Sequence, residues 1–188
     1  MINAWLDTAD EISEEGTQNG KRLSQAYGAL LKFISTEDWT GACHSSSAVL
    51  YIVLSEMGFT PKLIIGEVRA PAGTFDHSWI VVDGKIYDAA AGFPGEDGFD
   101  VGGPVFASID LRTQQPTPNI FGVSPRGGLD EIASYVASVP LDEYVSGMPQ
   151  GPTVWDIAKI VGANCGLKLK TSDLRRRYGK VTRSYILE

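Results

Sequence analysis

Two short stretches of this 188-residue chain hold the residue types that covalent catalysis needs. In the first, Trp39-Thr40-Gly41-Ala42-Cys43-His44-Ser45-Ser46-Ser47, a cysteine stands ahead of a strongly apolar run. In the second, Asp76-His77-Ser78-Trp79-Ile80-Val81-Val82-Asp83-Gly84-Lys85-Ile86-Tyr87-Asp88, a histidine and an aspartate lie on either side of an Asp-Gly pair. A thiol becomes a nucleophile only as its thiolate. A helix N-terminus and a neighbouring imidazole are the two usual means of bringing its pKa below about 8.5.

The elements that would position these groups follow from pattern. Ala48-Val-Leu-Tyr-Ile-Val-Leu-Ser-Glu-Met57 is apolar nearly all round, as suits a buried helix, and Gly58 closes it as a left-handed residue. Carried upstream, this helix takes Thr40 as N-cap and Cys43 as its third residue, where free N–H groups and the positive end of the dipole favour an anion. The three serines after His44 keep the first turn small and polar, leaving room for a substrate. Asp83-Gly84 suits a two-residue type I′ turn between runs of β-branched and aromatic residues. Val82 then faces Lys85 and Trp79 faces Asp88. His77, two residues before Trp79, shares that sheet face and lies diagonal to Asp88, within reach of a hydrogen bond. A one-residue slip in register would abolish the relation. The expected roles are nucleophile for Cys43, base for His77 and orienting carboxylate for Asp88.

The order Cys, His, Asp, with a small-residue turn before the cysteine helix and a His-Ser-Trp strand whose partner ends in Tyr-Asp, resembles the transglutaminase-like branch of the papain-like superfamily. The resemblance covers about residues 21 to 91. It implies an α+β, papain-like or transglutaminase-like fold, with the cysteine on the N-terminus of a buried helix packed on an antiparallel sheet that carries His77 and Asp88. The implied activity is thiol-dependent acyl transfer at an amide, as a cysteine peptidase or amidase acting on a peptide or protein. Cross-linking or deamidating enzymes of the same type are the alternative, and a non-catalytic binding module on this fold is the rival from another class. No glutamine precedes Cys43 at the close spacing of papain-type enzymes. Gln25 is the sole candidate, which leaves the Cys43 N–H as the one oxyanion donor in view.

Trp39, His44 and Ser45 are the candidate substrate contacts. His44 is not the expected base, because adjacent helical residues sit about 100° apart. Asp76 is the fallback orienter, although its position next to His77 puts it on the opposite face. Cysteine, histidine and aspartate are also metal ligands, but no Cys-x-x-Cys or His-x-x-x-His spacing is present, so neither metal nor other cofactor is expected. Cys165 falls on the apolar stripe of a late helix with Val154, Ile157, Ala158 and Val161, and reads as structural.

The chain has 43% hydrophobic and 21% charged residues, enough for one packed domain over residues 1–188. Residues 1–91 form the expected catalytic core, opening with two amphipathic helices broken by Gly16-Thr17-Gln18-Asn19-Gly20. Residues 92–128 are a Gly/Pro-rich loop with one strand, Val105 to Leu111. Because this loop begins four residues after Asp88, it reads as a specificity element or protein-partner surface, with disorder as the alternative. Residues 129–188 are helical and basic: a helix ended by Pro140, one opened by a Thr153/Asp156 capping box, a short helix over Thr171 to Tyr178, and a strand within Lys180 to Leu187. The net charge is −7, yet Gly166 to Glu188 holds seven basic residues against two acidic ones. Such a tail invites an acidic partner, either nucleic acid through a loose helix-turn-helix with Arg175-Arg176-Arg177, or the chain's own acidic body. Nucleic acid is the minority reading. No membrane span or signal peptide is legible, so the expected location is cytoplasmic. Oligomeric state is not legible.

Overall fold

The computed structural model describes residues 1–14, 18–96, 98–123 and 128–185. Three helices come first: α1 (Ile2–Glu14), α2 (Gln18–Thr36) and α3 (Cys43–Glu56). Of the break expected over Gly16 to Gly20, Gln18, Asn19 and Gly20 are instead the first residues of α2, while Gly16 and Thr17 lie outside the described residues. On α2, Leu23, Ala26, Tyr27, Leu30, Leu31 and Ile34 are buried, a stripe at helical spacing that forms the floor beneath α3. Residues 45–50 and 52–54 of α3 are all buried. Its end follows the expectation: Gly58 has φ 85°, its N–H reaches Ser55 O and that of Phe59 reaches Leu54 O, both at 3.0 Å, which is a Schellman motif.

Three long-range strands follow, β1 (Lys62–Ala70), β2 (Gly73–Val82) and β3 (Lys85–Tyr87). Between β2 and β3, Ile80 pairs with Tyr87, Val81 with Ile86 and Val82 with Lys85, the register read from the sequence. Asp83 and Gly84 both have positive φ, 49° and 74°, as a type I′ turn requires. Along β2 the side chains alternate. Ile80 and Val82 join the main core with α3, while Trp79 packs with Ile64 and Val68 in a second cluster.

The glycine-rich region is ordered over its described residues into β4 (Val105–Phe106), β5 (Ile109–Asp110), β6 (Gln115–Pro116) and β7 (Ile120–Val123). The expected single strand from Val105 to Leu111 is instead two strands of two residues. Ala107 and Ser108 take φ 51° and 68° and fold the chain back on itself, leaving β4, β5 and β6 as a small separate sheet. Buried Asp110 stitches this region together by accepting from the N–H groups of Gly103, Arg112 and Thr113. The stretch 124–127 lies outside the described residues.

The C-terminal third comprises α4 (Glu131–Ser138), α5 (Leu141–Ser146), α6 (Val154–Asn164), α7 (Thr171–Tyr178) and β8 (Ser184–Tyr185). The capping box at Thr153 and Asp156 forms on both sides. Helix α5 has no counterpart in the sequence reading: Pro140 ends one helix but also serves as N-cap of the next. The larger sheet runs β3-β2-β1-β7, and β8 pairs parallel to β1. The molecule is thus an α+β arrangement of helices against a mainly antiparallel sheet. No helix among the described residues is long and apolar enough to cross a membrane.

The three arginines of the basic tail's helix form ion pairs at the surface. Arg175 pairs with Asp142 at 2.5 Å and Arg177 with Glu56 at 3.0 Å, while Arg176 pairs with Asp173 of its own helix. Arg183 is buried. The chain's own acidic residues therefore meet much of the charge that prompted the nucleic-acid reading.

Candidate functional site

Cys43 is the first residue of α3, with Ala42 as N-cap and no side-chain cap. The expected Thr40 cap and third-position cysteine are corrected by two residues. Gly41 turns the chain with φ 64°, its N–H donates to Phe93 O at 3.0 Å, and the helical ladder begins only where Ser46 N–H meets Ala42 O. The physical basis of the expectation survives the shift, since the first helical N–H is also without an intrahelical acceptor.

His77 and Asp88 meet as the hairpin register requires, with His77 Nε2 2.6 Å from Asp88 Oδ2 and both side chains buried. The other carboxylate oxygen, Oδ1, accepts from the N–H groups of Ala90 at 3.0 Å and Ala91 at 3.2 Å. The Asp88 backbone bonds in both directions to Val105, and Tyr27 donates its hydroxyl to the Asp88 carbonyl at 3.1 Å. An aspartate fixed at this many points orients the ring with Nε2–H toward the carboxylate, which leaves Nδ1 as the nitrogen available to the thiol.

The electrostatics follow from that line of groups. Burial disfavours the Cys43 thiolate. The positive charge of His77 and hydrogen bonds from the rings of His44 and His77 outweigh it, and the thiol is held well below its ordinary range. Burial likewise disfavours charge on His77, but Asp88 and the Cys43 thiolate raise its pKa well above the usual imidazole value. The two shifts describe one state, a thiolate facing an imidazolium that a carboxylate anchors from behind. Such a pair can attack a carbonyl with sulfur and hand a proton to the departing group from nitrogen.

Beside the pair lies a cleft of ≈170 Å³, lined by Cys43 and His77 together with Phe75, Phe93, Phe99 and Val101 among others. Apart from Cys43 and His77, Asp76 is the one ionisable residue in the described lining. Its Oδ2 accepts from Asp130 N–H at 2.7 Å, so this carboxylate is engaged away from His77. The start of the Gly/Pro-rich region, through Phe93, Pro94, Gly95, Gly98, Phe99 and Val101, therefore forms one wall of the cleft, as its distance from Asp88 suggested.

No family model, curated protein or solved structure matches this chain. The site is accordingly read from its own geometry.

The three candidate substrate contacts lie outside the cleft lining. Trp39 packs edge-on against Phe33, with ring centres 5.7 Å apart. His44 touches the Cys43 thiol, and its Nδ1 is 2.7 Å from Ser78 Oγ. Ser45 is buried with its hydroxyl 2.7 Å from that of Tyr144. Ser46 and Ser47 are also buried and donate back to the carbonyls of Cys43 and His44, so the serine run fills the body of the protein and leaves no open space. Gln25 donates to Asn164 O on an exposed face and supplies no oxyanion contact. Cys165 is the C-cap of α6, half-buried, and neither cysteine is in a disulfide. Among the described residues no group of three or more Cys, His, Asp or Glu could hold a metal ion.

Sequence reasoning missed Phe75, Phe93 and Phe99 in the wall, and Tyr144 and Arg183 behind the helix. Phe75 carried a usable signal, being two residues before His77 on the same strand face, where the rings sit 5.3 Å apart. The others had none, because they arrive from elements distant in sequence.

Proposed function

We propose that this protein is a thiol-dependent acyl-transfer enzyme of the transglutaminase-like, papain-like type, and that its reaction is hydrolysis of an amide in a peptide or protein. The observation that carries the reading is the line from buried Asp88 through buried His77 to half-buried Cys43 at a helix start. Cys43 Sγ attacks the carbonyl, and the oxyanion forms beside the Cys43 N–H. His77 Nδ1–H protonates the leaving amine as the C–N bond breaks, leaving a thioester. The neutral imidazole then takes a proton from water, which attacks the thioester and releases the acid with the thiolate restored. Asp88 remains ionised throughout and fixes the ring. Water is the acceptor in this scheme; an amine in its place would make the same intermediate a cross-linking reaction.

The acyl part of the substrate is apolar, because the space next to Cys43 is walled by three phenylalanines and a valine and, apart from His77 itself, its described lining offers no basic side chain. A reducing, cytoplasmic setting suits a mechanism that needs a free thiolate.

The test is the rate of iodoacetamide labelling at Cys43 against pH, followed by assay of peptide amides with phenylalanine or glutamate on the acyl side. The expected midpoint lies well below 8.5, moves up in His77→Ala, and labelling of this site vanishes in Cys43→Ala. Phenylalanine substrates are expected to be cleaved in preference to glutamate ones. An ordinary thiol profile indifferent to His77→Ala would sink the catalytic reading and leave the binding-module alternative.

A further inference from the structure

The last strand and α5 reach back to the first turn of α3. Arg183 is only 5% exposed. Its Nη2 donates to His44 O at 2.9 Å and its Nη1 to Val136 O at 3.4 Å, and its guanidinium carbon lies 4.4 Å from the centre of the Tyr144 ring. Tyr144 in turn meets the hydroxyl of Ser45. Residues 44 and 45, which follow the cysteine, are thus gripped by one two-residue unit. Nε of Arg183 is buried without a partner, and the arginine has no carboxylate partner among the described residues.

One of these contacts has an ordinary structural explanation. Val136 is in the last turn of α4, where orphan carbonyls welcome a cation. The other does not. His44 is in the first turn of α3, the positive end of a helix dipole, where a buried cation is disfavoured unless an anion stands near. The anion that the site supplies is the Cys43 thiolate. Burial lowers the Arg183 pKa to about 10, against the opposing pull of Tyr144 and Cys43.

We propose that Arg183, stacked on Tyr144, is a positioning residue that clamps the first turn of α3 and sets a standing positive charge behind the Cys43 thiolate. The proposal rests on the thiolate–imidazolium reading of the site. The charged and titratable groups around the thiol are His44 from α3 itself, His77 from β2 with Asp88 behind it, Tyr144 from α5, and Arg183; Asp76 lines the same cleft.

The experiment is the iodoacetamide labelling rate of Cys43, resolved from Cys165 by peptide mass mapping, between pH 4.5 and 9.5 in the full chain. Arg183→Met and Arg183→Gln are compared with Arg183→Lys, with thermal melts alongside. Glutamine keeps an amide donor on a shorter side chain and removes the charge, and it serves if the methionine variant does not fold. Both neutral variants are expected to label about tenfold more slowly at pH 6, the midpoint rising by about one unit, with rates converging above pH 9. Lysine is expected to remain within about threefold of the unmodified protein. Superimposed profiles for glutamine and unmodified protein, with only the melting temperature lowered, would reduce Arg183 to a helix cap and overturn the proposal while leaving the thiolate reading in place. An ordinary midpoint in the unmodified protein would overturn both.

Discussion

Asp88 shows how much of the chemistry rests on the division of labour between two oxygens of one side chain. Oδ1 is taken by the Ala90 and Ala91 N–H groups and Oδ2 by His77, so the carboxylate cannot rotate to relieve a change at either end. In Asp88→Asn the amide oxygen can keep the backbone contacts, but its NH₂ then faces Nε2 of His77. The ring must carry its proton on Nδ1 and loses the anion that sustains its charge. Labelling of Cys43 at pH 6 is expected to fall about a hundredfold, the midpoint returning toward about 8.5 with far-UV circular dichroism unchanged. An unshifted midpoint would separate Asp88 from the site. Cys43, His77 and Asp88 were legible in the sequence because each sits in a local pattern with a geometric consequence: a helix start, and two positions related by a two-residue turn. Phe93 and Phe99 were not, since nothing local marks which loop residues will face a cleft.

At the scale of elements, the glycines on either side of α3 do different work. Gly41 and Gly58 both have positive φ, 64° and 85°, which costs a side chain roughly 1 kcal/mol on conformational grounds. A Cβ at Gly58 would meet nothing within 4 Å, whereas one at Gly41 would come 3.3 Å from the Cα of Gly95 in the cleft wall. Gly58→Ala is therefore expected to lower the melting temperature and leave Cys43 reactivity intact. Gly41→Ala is expected to lower it too and also to alter labelling and the preference for apolar substrates, because it displaces the loop that forms the wall. Equal reactivity in the two variants would argue against that contact. The capping box offers a control remote from the site: Thr153→Ala removes bonds to the Asp156 N–H and carboxylate and is expected to cost about 1 kcal/mol in urea unfolding, with reactivity unchanged. These elements were legible because helix ends and tight turns are written in short-range chemistry. The pair of strands β4 and β5 was not, since the β-propensity of the stretch from Val105 to Leu111 says nothing of a turn at Ala107 and Ser108, neither of which is a usual left-handed residue.

For the molecule as a whole, the thiolate–imidazolium pair links folding to pH. The Cys43 pKa is lowered on folding, so its contribution is present above the unfolded thiol's pKa near 9.0 and is lost as pH falls through the folded value. The His77 pKa is raised, so its contribution is present below the ordinary imidazole value of 6.5 and is lost as pH rises through the folded value. In the pH window where the unfolded chain holds one proton on sulfur and the folded chain holds it on nitrogen, folding neither binds nor releases a proton at these two sites. The pair's contribution is thus expected to be flat across that window and to fall on either side. Urea midpoints from pH 5 to 10, compared with the Cys43→Ala, His77→Ala double variant, would check it, the difference between the two proteins being pH-independent if the pair is not charged. The surface ion pairs of Arg175 and Arg177 belong to this scale as well: a sequence reports an excess of positive charge but not where its partners are, and Asp142 and Glu56 lie at distances along the chain that no local pattern spans. By itself the sequence determined the helix that bears the cysteine, the hairpin that joins histidine to aspartate, and the register between them, because these depend on periodicity and turns within about fifteen residues. Tertiary structure alone decided which face of the first turn is filled, which aromatic residues wall the cleft, and that an arginine and a tyrosine distant in sequence hold the two residues after the cysteine. Those relations arise from packing, where burial and hydrogen-bond satisfaction are settled between elements and leave no trace in the spacing of residues along any one of them.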